Sequence, residues 1–341
     1  MSAKPLNITV GGAGAEVNGP RAVRIDARTE FAAALRLVAV PEAEREMAAR
    51  RLLAAGPRHG VDFHNCWAVF GPGGVVQQVC LAVPGSGRTG MIFLSEPPVG
   101  GDAGGSVAGI RDRRLCIEAA AHDLRELKDA SGARKIKVLQ ALPEPREAWS
   151  LEACRGAGFI DVGTLTYMRV ATGPAKKYPP GPPAWPAGIS VVSVAALPEA
   201  SRDTILVEAL ESTYVQTLDC PELCGLRETR DILDSHRSTG IYDPGAWWVV
   251  FEDGVPRGTM LLSRIPEQGA VELVYLGLAP SIRGKGIARK LMETAMRTAA
   301  GSRAGELTCA VDQRNAPAVH LYESCGLRAF SQRVALVLPL A

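Results

Sequence analysis

The sequence predicts an α/β protein built from two tandem copies of one unit. The chain has 341 residues, which suits about two domains of ordinary size. Hydrophobic residues make up 47% and charged residues 22%, a balance typical of folded rather than disordered proteins. Prolines crowd the segment between Thr172 and Gly188, which marks a linker. We therefore expect one domain over residues 1–171, the linker over 172–187 and a second domain over 188–341.

Charge and hydropathy exclude several classes of partner. Lys and Arg number 38 against 36 Asp and Glu, so the overall charge does not favour nucleic acid. The sequence has no apolar run of about 18 residues that would span a membrane, and no apolar leader at its start. We expect a cytoplasmic protein with reduced cysteines. The closest cysteine pair, Cys220 and Cys224, has no second pair of ligands nearby, so no metal site is predicted.

The apolar pattern of the second half predicts its elements in order. Alternating or β-branched runs indicate strands, and a repeat of 3.6 residues indicates helices. The predicted strands are 189–194, 247–252, 258–264, 271–278, 306–311 and 334–338. A helical stretch at 201–236 separates the first two strands. An amphipathic helix that includes Leu291 and Ala295 follows the fourth.

The first half offers a comparable series. Its predicted strands are 68–70, 75–83, 91–94 and 135–141, after a helix near 41–54. A shift of 171 residues places Glu152 on Glu323, Cys154 on Cys325 and Phe159 on Phe330. Two copies of one unit explain this order, although two unrelated α/β segments would share such generic signals.

The segment that joins strand 271–278 to the next helix carries the chemistry. After Ala279-Pro280-Ser281-Ile282 it reads Arg283-Gly284-Lys285-Gly286-Ile287-Ala288. A glycine-bearing turn that opens a helix points unpaired backbone N–H groups at one spot, with the positive end of the helix dipole behind them. This arrangement binds phosphate; an ordinary tight turn is the alternative. Dinucleotide and P-loop patterns are disfavoured, because Arg289 stands where a third glycine is required and no Gly-Lys-Ser/Thr occurs.

The pattern Arg-x-x-Gly-x-Ala at 283–288, with Asn315 after the next strand and Tyr322 in HLYESCGL, resembles the acyl-coenzyme A site of the GNAT superfamily of N-acyltransferases. The resemblance covers about 189–338 well and the first half only in outline. It implies two tandem GNAT-like domains, each a mixed, mostly antiparallel, twisted sheet flanked by helices. It also implies a sheet that splays open between strands 271–278 and 306–311, and acetyl-CoA as co-substrate.

The resemblance further implies roles in binding the co-substrate. The diphosphate would bind to Arg283, Gly284, Lys285, Gly286, Ile287 and Ala288. Main-chain groups of Leu276 and Leu278 would pair with the pantetheine amides as a neighbouring strand does. The Asn315 amide would also bond pantetheine, or else cap the helix that follows it.

Two residues are predicted to be catalytic in acetyl transfer to a primary amine by direct attack. The Tyr322 hydroxyl would lie near the thioester sulfur and donate a proton to the departing thiolate, unless it is a packed core tyrosine. Glu272 would act as a base through water, or be a solvated strand carboxylate. Regular alternation would place Glu272, Val274 and Leu276 on one face of the strand.

The first copy is predicted to be degenerate. Alignment places residues 111–116, which include an aspartate and no glycine, where the second copy has its glycine-bearing turn. At the 171 shift, Glu144 and Leu151 replace the asparagine and the tyrosine. The glycine-rich run 99–109 is predicted to be a mobile loop. We expect one acetyl-CoA per chain and a monomer in which the first domain is a scaffold.

The acceptor, a small-molecule or peptide amine, is expected beyond the thioester. An acidic and aromatic set there would attract a cationic amine, although a solvated helix surface is the alternative. The set is Glu211, Tyr214, Thr217, Asp219 and Glu222. His320 is expected to be packed. A non-catalytic acyl-CoA sensor and a nucleotide-binding regulator are the alternative functions.

Overall fold

The structure, a computed structural model, describes residues 20–97, 105–173, 181 and 183–340. Twelve strands in these ranges form one sheet in the order β1-β2-β3-β4-β5-β12-β6-β11-β10-β9-β8-β7. Half of the predicted linker, residues 174–180 and 182, lies outside the described residues. No helix in the described part of the chain is long and apolar enough to cross a lipid bilayer.

The first half contributes six strands and four helices to the described structure. In chain order these are β1 Ala22–Arg24, α1 Glu30–Leu37, α2 Glu42–Ala55, β2 Cys66–Phe70, β3 Val76–Gly85, β4 Thr89–Leu94, α3 Val107–Arg125, β5 Val138–Ala141, α4 Ala148–Gly156 and β6 Ile160–Ala171. Helix α2 begins directly after Pro41, where the fixed φ of proline suits a helix start. The short elements β1 and α1 were not predicted, because neither is long enough to show a periodic pattern.

The second half repeats this order. Its elements are β7 Ile189–Ser193, α5 Arg202–Tyr214, α6 Thr229–Arg237, β8 Trp247–Glu252, β9 Val255–Ile265, β10 Ala270–Leu278, α7 Ile287–Gly301, β11 Glu306–Asp312, α8 Ala316–Ser324 and β12 Arg328–Pro339. The helical stretch predicted at 201–236 is two helices separated by a mostly irregular segment, 215–228. That segment, called here the α5–α6 loop, lies beside the site described below.

The two halves exchange their last strands. β4 and β5 of the first half are parallel neighbours, and so are β10 and β11 of the second. Next to β5, however, lies β12 from the second half, and next to β11 lies β6 from the first. β6 and β12 pair with each other in the centre of the sheet. Each half therefore completes its sheet with a strand of the other.

The exchanged strands also join the two hydrophobic cores. Helices α3, α4, α7 and α8 cover one face of the sheet, and α1, α2, α5 and α6 cover the other. Leu336 of β12 is buried beneath α3 and α4, and Met168 of β6 is buried beneath α7 and α8. Burial of each half's apolar side chains in the core of the other makes separation of the halves unfavourable.

The halves are related by a shift of 168 residues in this region, and the predicted shift of 171 is wrong. Helix α4 begins at 148 and α8 at 316, and β6 and β12 begin at 160 and 328. Gly158 and Gly326 both have φ 92° just after their helices. At this shift Glu147 matches Asn315, and Cys154 rather than Leu151 matches Tyr322.

The loop alignment of the first half also needs correction. Residues 111–116, which were aligned with the glycine-bearing turn, lie inside α3. The turn that precedes α3 falls instead within the glycine-rich run 99–109, of which residues 99–104 lie outside the described residues. The misalignment arose because α3 is four residues longer than α7, 19 against 15.

Candidate active site

Strands β10 and β11 pair and then separate, which opens a cleft of about 290 Å³. Their pairing ends at Leu273 and Cys309. The end of β10 forms one wall of the cleft, and the end of β11 with α8 forms the other. The predicted site residues that line it are Leu276, Leu278, Arg283, Gly284, Ala288, Asn315 and Tyr322. The fold thus gathers most of the predicted set around one gap in the sheet.

The turn before α7 leaves its backbone N–H groups without partners. Gly284 and Gly286 both have φ 75°, a left-handed conformation that favours glycine. A Cβ at either position would meet nothing within 4 Å, so the space beside the turn is open. No side chain caps α7, and no acceptor within the described residues binds the N–H groups of residues 284–288. Such groups at the positive end of a helix fit a diphosphate.

Arg283 clamps two elements together. Its guanidinium donates to the carbonyl oxygens of Leu278 at 2.8 Å, Val215 at 2.9 Å, Gln216 at 3.0 Å and Thr213 at 3.2 Å. These bonds join the end of β10 to the end of α5. The positive charge still lies beside the turn, but the donors of Arg283 are already engaged.

Lys285 and Ile287 fix the turn to the rest of the protein. The Lys285 ammonium lies 3.0 Å from the Glu252 carboxylate on β8, which also accepts from the Ser281 hydroxyl at 2.8 Å. These hydrogen bonds, first from Lys285 and then from Ser281, lower the pKa of Glu252. Ile287 is buried in the core beneath α7. The backbone of the turn, rather than these side chains, therefore faces the open space.

The edge of β10 offers main-chain groups to the cleft. The Ala279 N–H donates to the Arg257 carbonyl of β9 at 2.7 Å. Because main-chain groups alternate along a strand, those of Leu278 and Leu276 point the other way, into the cleft. Arg283 occupies the Leu278 carbonyl. The Leu278 N–H and both groups of Leu276 remain for an extended ligand.

A bulge in β10 corrects the predicted face. Pairing of β10 with β9 shifts between Leu273 and Tyr275. Leu276 therefore packs with Leu273 beneath α7, whereas Val274 packs against the core under α5. The expectation that Leu276 shares a face with Glu272 and Val274 is wrong, because the extra residue of a bulge reverses the alternation.

Tyr322 lies on α8 at the inner end of the cleft. Its side chain is 6% exposed, and burial raises its pKa well above the usual value for tyrosine. The phenol is therefore protonated throughout the neutral range and can donate a proton or a hydrogen bond. Tyr322 is also one of the residues that line the cleft. The alternative interpretation, a packed core tyrosine, explains why Tyr322 is buried but not why it lies beside an open cleft.

Asn315 caps α8 and lines the cleft as well. Its side-chain oxygen accepts from the Ala318 N–H at 3.3 Å, as an N-cap does. Its amide nitrogen also donates to the Asp219 carboxylate, a hydrogen bond that opposes the effect of burial on the pKa of Asp219, so one amide N–H remains for a ligand in the cleft. The two interpretations of Asn315 that the sequence left open are therefore compatible.

A second cavity, of about 800 Å³, lies on the opposite face of the sheet between the two halves. Five residues line both the cleft and this cavity, and they surround the gap in the sheet. They are Thr217, Asp219, Val274, Tyr275 and Ala310. The two spaces therefore adjoin at these five residues, and this part of the gap in the sheet is called here the passage.

Asp219 is held in place at the passage. Its carboxylate accepts from the Asp312 N–H at 3.0 Å, and the Asp312 carboxylate accepts from the Cys220 N–H at 3.1 Å. Cys220 has φ 43°, an unfavourable conformation for a residue other than glycine. Burial raises the pKa of Asp219. The sequence placed Asp219 only in the acceptor set, because its neighbours are distant in sequence and no local pattern indicates them.

Asp312 and Arg314 fix the α5–α6 loop from below. Asp312 is fully buried, and Arg314 donates to both of its oxygens. Burial alone would raise the pKa of Asp312, but hydrogen bonds from Arg314 and from backbone N–H groups lower it overall. Arg314 also pairs with Glu222 at 2.7 Å. Glu222, which was predicted to attract the acceptor, is thus engaged in an ion pair.

Glu272 lies on the face of the sheet that carries the second cavity, beside Ser263 and Thr308 in register. Burial raises its pKa. It is not among the residues that line the cleft or the cavity. Its role as a base stays a prediction. His320 is exposed, so the expectation that it is packed is wrong.

The first half fills the equivalent gap with its own side chains. Arg113 is 1% exposed, donates to the Ser95 carbonyl at 2.6 Å at the end of β4, and stacks on Trp149 with 4.6 Å between the guanidinium carbon and the ring centre. Burial lowers the pKa of Arg113 to about 10. Trp149 corresponds to Pro317 of the second cleft, and its Cβ would lie 2.9 Å from a Cβ at Gly105. This gap is therefore closed.

Comparison with known proteins gives a family match over the part of the chain that forms the cleft. Residues 210–327 match the sequence model of the acetyltransferase (GNAT) family. No curated protein matches the chain significantly. A GCN5-related N-acetyltransferase from Sphaerobacter thermophilus has a similar structure, with 18% identity, a TM-score of 0.58, and coverage of 94% of this chain and 96% of that one. At this identity the likeness shows the fold.

Two further solved structures are more distant. A tandem GNAT protein from the clavulanic acid biosynthesis pathway has 16% identity and a TM-score of 0.42, over 81% of this chain and 82% of that one. A GCN5-related N-acetyltransferase from Kribbella flavida has 16% identity and a TM-score of 0.44, over 77% and 86%. Residues 210–327, which include the cleft, therefore match the GNAT acetyltransferase family, and the chain as a whole has the fold of the Sphaerobacter thermophilus protein.

Proposed function

We propose that the chain transfers an acetyl group from acetyl-CoA to a primary amine by direct attack. The family assignment supports acyl transfer in general. The observation that carries the donor is the run of unpartnered N–H groups at 284–288, which stands at one end of a cleft that reaches Tyr322. An elongated ligand with a diphosphate at one end and a thioester at the other fits that arrangement.

Three groups of residues would hold the donor. The N–H groups of 284–288 would bind the diphosphate, with the dipole of α7 behind them. Leu276 and the Leu278 N–H would pair with pantetheine as an added strand. The Asn315 amide would bond the opposite side. Acetyl-CoA supplies an activated carbonyl and a thiolate leaving group, and the protein's part is to orient it in the gap.

Tyr322 would provide the proton for the leaving thiolate. Its phenol stays protonated because burial raises its pKa. The attacking amine must lose its own proton before or during attack, so a base is needed on the acceptor side. Asp219 is better placed than Glu272 for this task, because Asp219 lines both the cleft and the cavity. A carboxylate whose pKa is raised by burial is a stronger base than an exposed one.

The substitution Gly286→Glu tests the donor site. A carboxylate about 5 Å from the diphosphate costs about 3 kcal/mol at an effective dielectric constant near 20, so the Kd for acetyl-CoA should rise roughly a hundredfold or more. Gly132→Glu is the matched control. Gly132 also has a positive φ, 81°, with nothing within 4 Å of a Cβ, but it lies in a loop of the first half.

Calorimetry of acetyl-CoA binding and thiol release with a panel of amines provide the readouts. Weakened binding in Gly286→Glu, normal binding in Gly132→Glu and amine-dependent thiol release would support the proposal. Equal binding in Gly286→Glu and the parent would refute the donor site. Tight binding of acetyl-CoA without transfer to any amine would favour the sensor alternative instead.

A further inference from the structure

We infer that the acceptor is a primary amine on a largely apolar body, and that it binds in the 800 Å³ cavity formed jointly by the two halves. This inference rests on the proposed function, since the amine would reach the thioester through the passage at Asp219. The cavity volume is within the range of pockets that enclose small organic molecules. The first half, whose described residues fill the equivalent gap with Arg113 and Trp149, then contributes a wall of the acceptor site.

The floor of the cavity is apolar and comes from both halves. β5 of the first half presents Val138, and the exchanged strands β6 and β12 present Val162 and Val337. These valines are almost fully buried, and the half-buried leucines that pack on them present the apolar surface to the cavity: Leu142, Leu165, Leu223 and Leu226. Transfer of an apolar body onto such a surface gains about 25 cal/mol for each Å² removed from water. The cavity therefore favours an alkyl or aryl group over a hydrated one.

Two polar groups in the cavity wall lack partners. Nε2 of His236 and the hydroxyl of Tyr214 are buried, and neither has a hydrogen-bond partner in the described structure. Burial, reinforced by the charge of Arg227, lowers the pKa of His236 to about 4, so this imidazole is neutral. Both atoms are enclosed by protein atoms rather than exposed to the cavity, so neither is available to a ligand. The cavity wall at His236 is therefore uncharged.

The charges around the cavity do not suit a polycation. Glu228 pairs with Lys137 at 2.9 Å and Glu222 with Arg314 at 2.7 Å, so neither is available to a ligand. Arg227 and Arg230 add positive charge to the wall, beside Glu211. Asp219 is the carboxylate at the passage. This arrangement suits a ligand with a single amine, placed at Asp219, rather than a ligand that carries several amines.

The first half also holds the α6 wall in position. The hairpin between β3 and β4 inserts against α6 so closely that a Cβ at Gly87 would lie 1.9 Å from the Asp231 carbonyl oxygen. The Arg227 guanidinium donates to the Gly87 carbonyl at 3.1 Å, and the Ser235 hydroxyl donates to the Ser86 carbonyl at 3.0 Å. The scaffold of the first half is thus directly coupled to the shape of the cavity.

A series of primary amines tests the inference. Thiol release is measured for alkylamines and arylalkylamines of growing size, and for spermidine and an aminoglycoside. The variant Gln140→Trp fills the cavity from β5 of the first half, where Gln140 is half-buried and lines it. Gln268→Trp, at an exposed turn between β9 and β10, is the matched control. Thermal denaturation verifies that both variants fold.

We expect kcat/KM to be higher for the apolar amines than for the polycations. In Gln140→Trp, but not in Gln268→Trp, the KM for the apolar amines should rise tenfold or more. The Kd for acetyl-CoA should stay unchanged in both variants. Transfer that favours polycations, or an unchanged KM in Gln140→Trp, would overturn this inference and leave the proposed function intact. Bound acetyl-CoA with no transfer to any amine would overturn both.

Discussion

Helices α3 and α7 begin at equivalent places in the two halves, but their first turns are satisfied differently. The Ser106 hydroxyl caps α3 by accepting from the Gly109 N–H at 3.1 Å. No side chain caps α7, and two glycines with open space beside them precede it. A helix end whose N–H groups have an internal acceptor has less to gain from an anion than one without.

The gap between β4 and β5 and the gap between β10 and β11 differ in the same way: the first is filled by the protein itself and the second is open. In the first half the gap holds Arg113 stacked on Trp149, whereas in the second it is open and lined by Pro317 and Tyr322. Both arrangements are compatible with the fold, because the gap between two splayed strands can be filled either by side chains of the protein or by a ligand. The comparison shows how one architecture serves as scaffold in one copy and as binding site in the other.

Trp149→Ala challenges the comparison most strongly. Removal of a side chain that is 6% exposed and stacked on Arg113 should cost about 3–5 kcal/mol of stability, measured by denaturant unfolding. The stoichiometry of acetyl-CoA should stay at one per chain, because Ser106 still caps α3. If calorimetry of the variant shows a second equivalent site, then the side chains that fill the first gap are the sole reason why the first half does not bind acetyl-CoA.

Tyr322→Phe sharpens the chemical side of the comparison, since the first half has Cys154 at this position. The substitution should lower kcat about a hundredfold, the loss typical of a general acid, with little change in the Kd for acetyl-CoA. Tyr242→Phe, which removes a hydroxyl from a tyrosine packed on Trp247 in another cluster, is the control. An unchanged kcat in Tyr322→Phe would refute the assignment.

Asp219→Asn and Glu272→Gln distinguish the two candidate bases and should have the smallest effects. A base must be deprotonated, so kcat/KM falls as the pH drops through its pKa, and burial raises that pKa in both residues. Asp219→Asn should lower kcat/KM roughly tenfold or more and remove this acid limb. Glu272→Gln should keep the limb. The reverse result would restore Glu272 as the base.

The parts of the molecule that the sequence predicted well depend on neighbours in the chain. The strand 247–252 was predicted as observed, because its apolar run ends at a turn made by Asp253 and Gly254. The turn before α7 was found from six consecutive residues. By contrast, the face of Leu276 was predicted wrongly, because the bulge in β10 depends on its pairing with β9.

The sequence alone determined the order of most elements, the likeness of the two halves and the glycine-bearing turn at 283–288, since each depends on short-range spacing. Only the tertiary structure decided that the halves exchange β6 and β12, that Trp149 closes the first gap, and that Asp219 stands at a passage between two cavities. These features depend on contacts between residues far apart in the chain: Asp219 and Asp312, for example, are 93 positions apart. Local propensity carries no information about such pairs, because their proximity is set by how the sheet closes and what its gaps must hold.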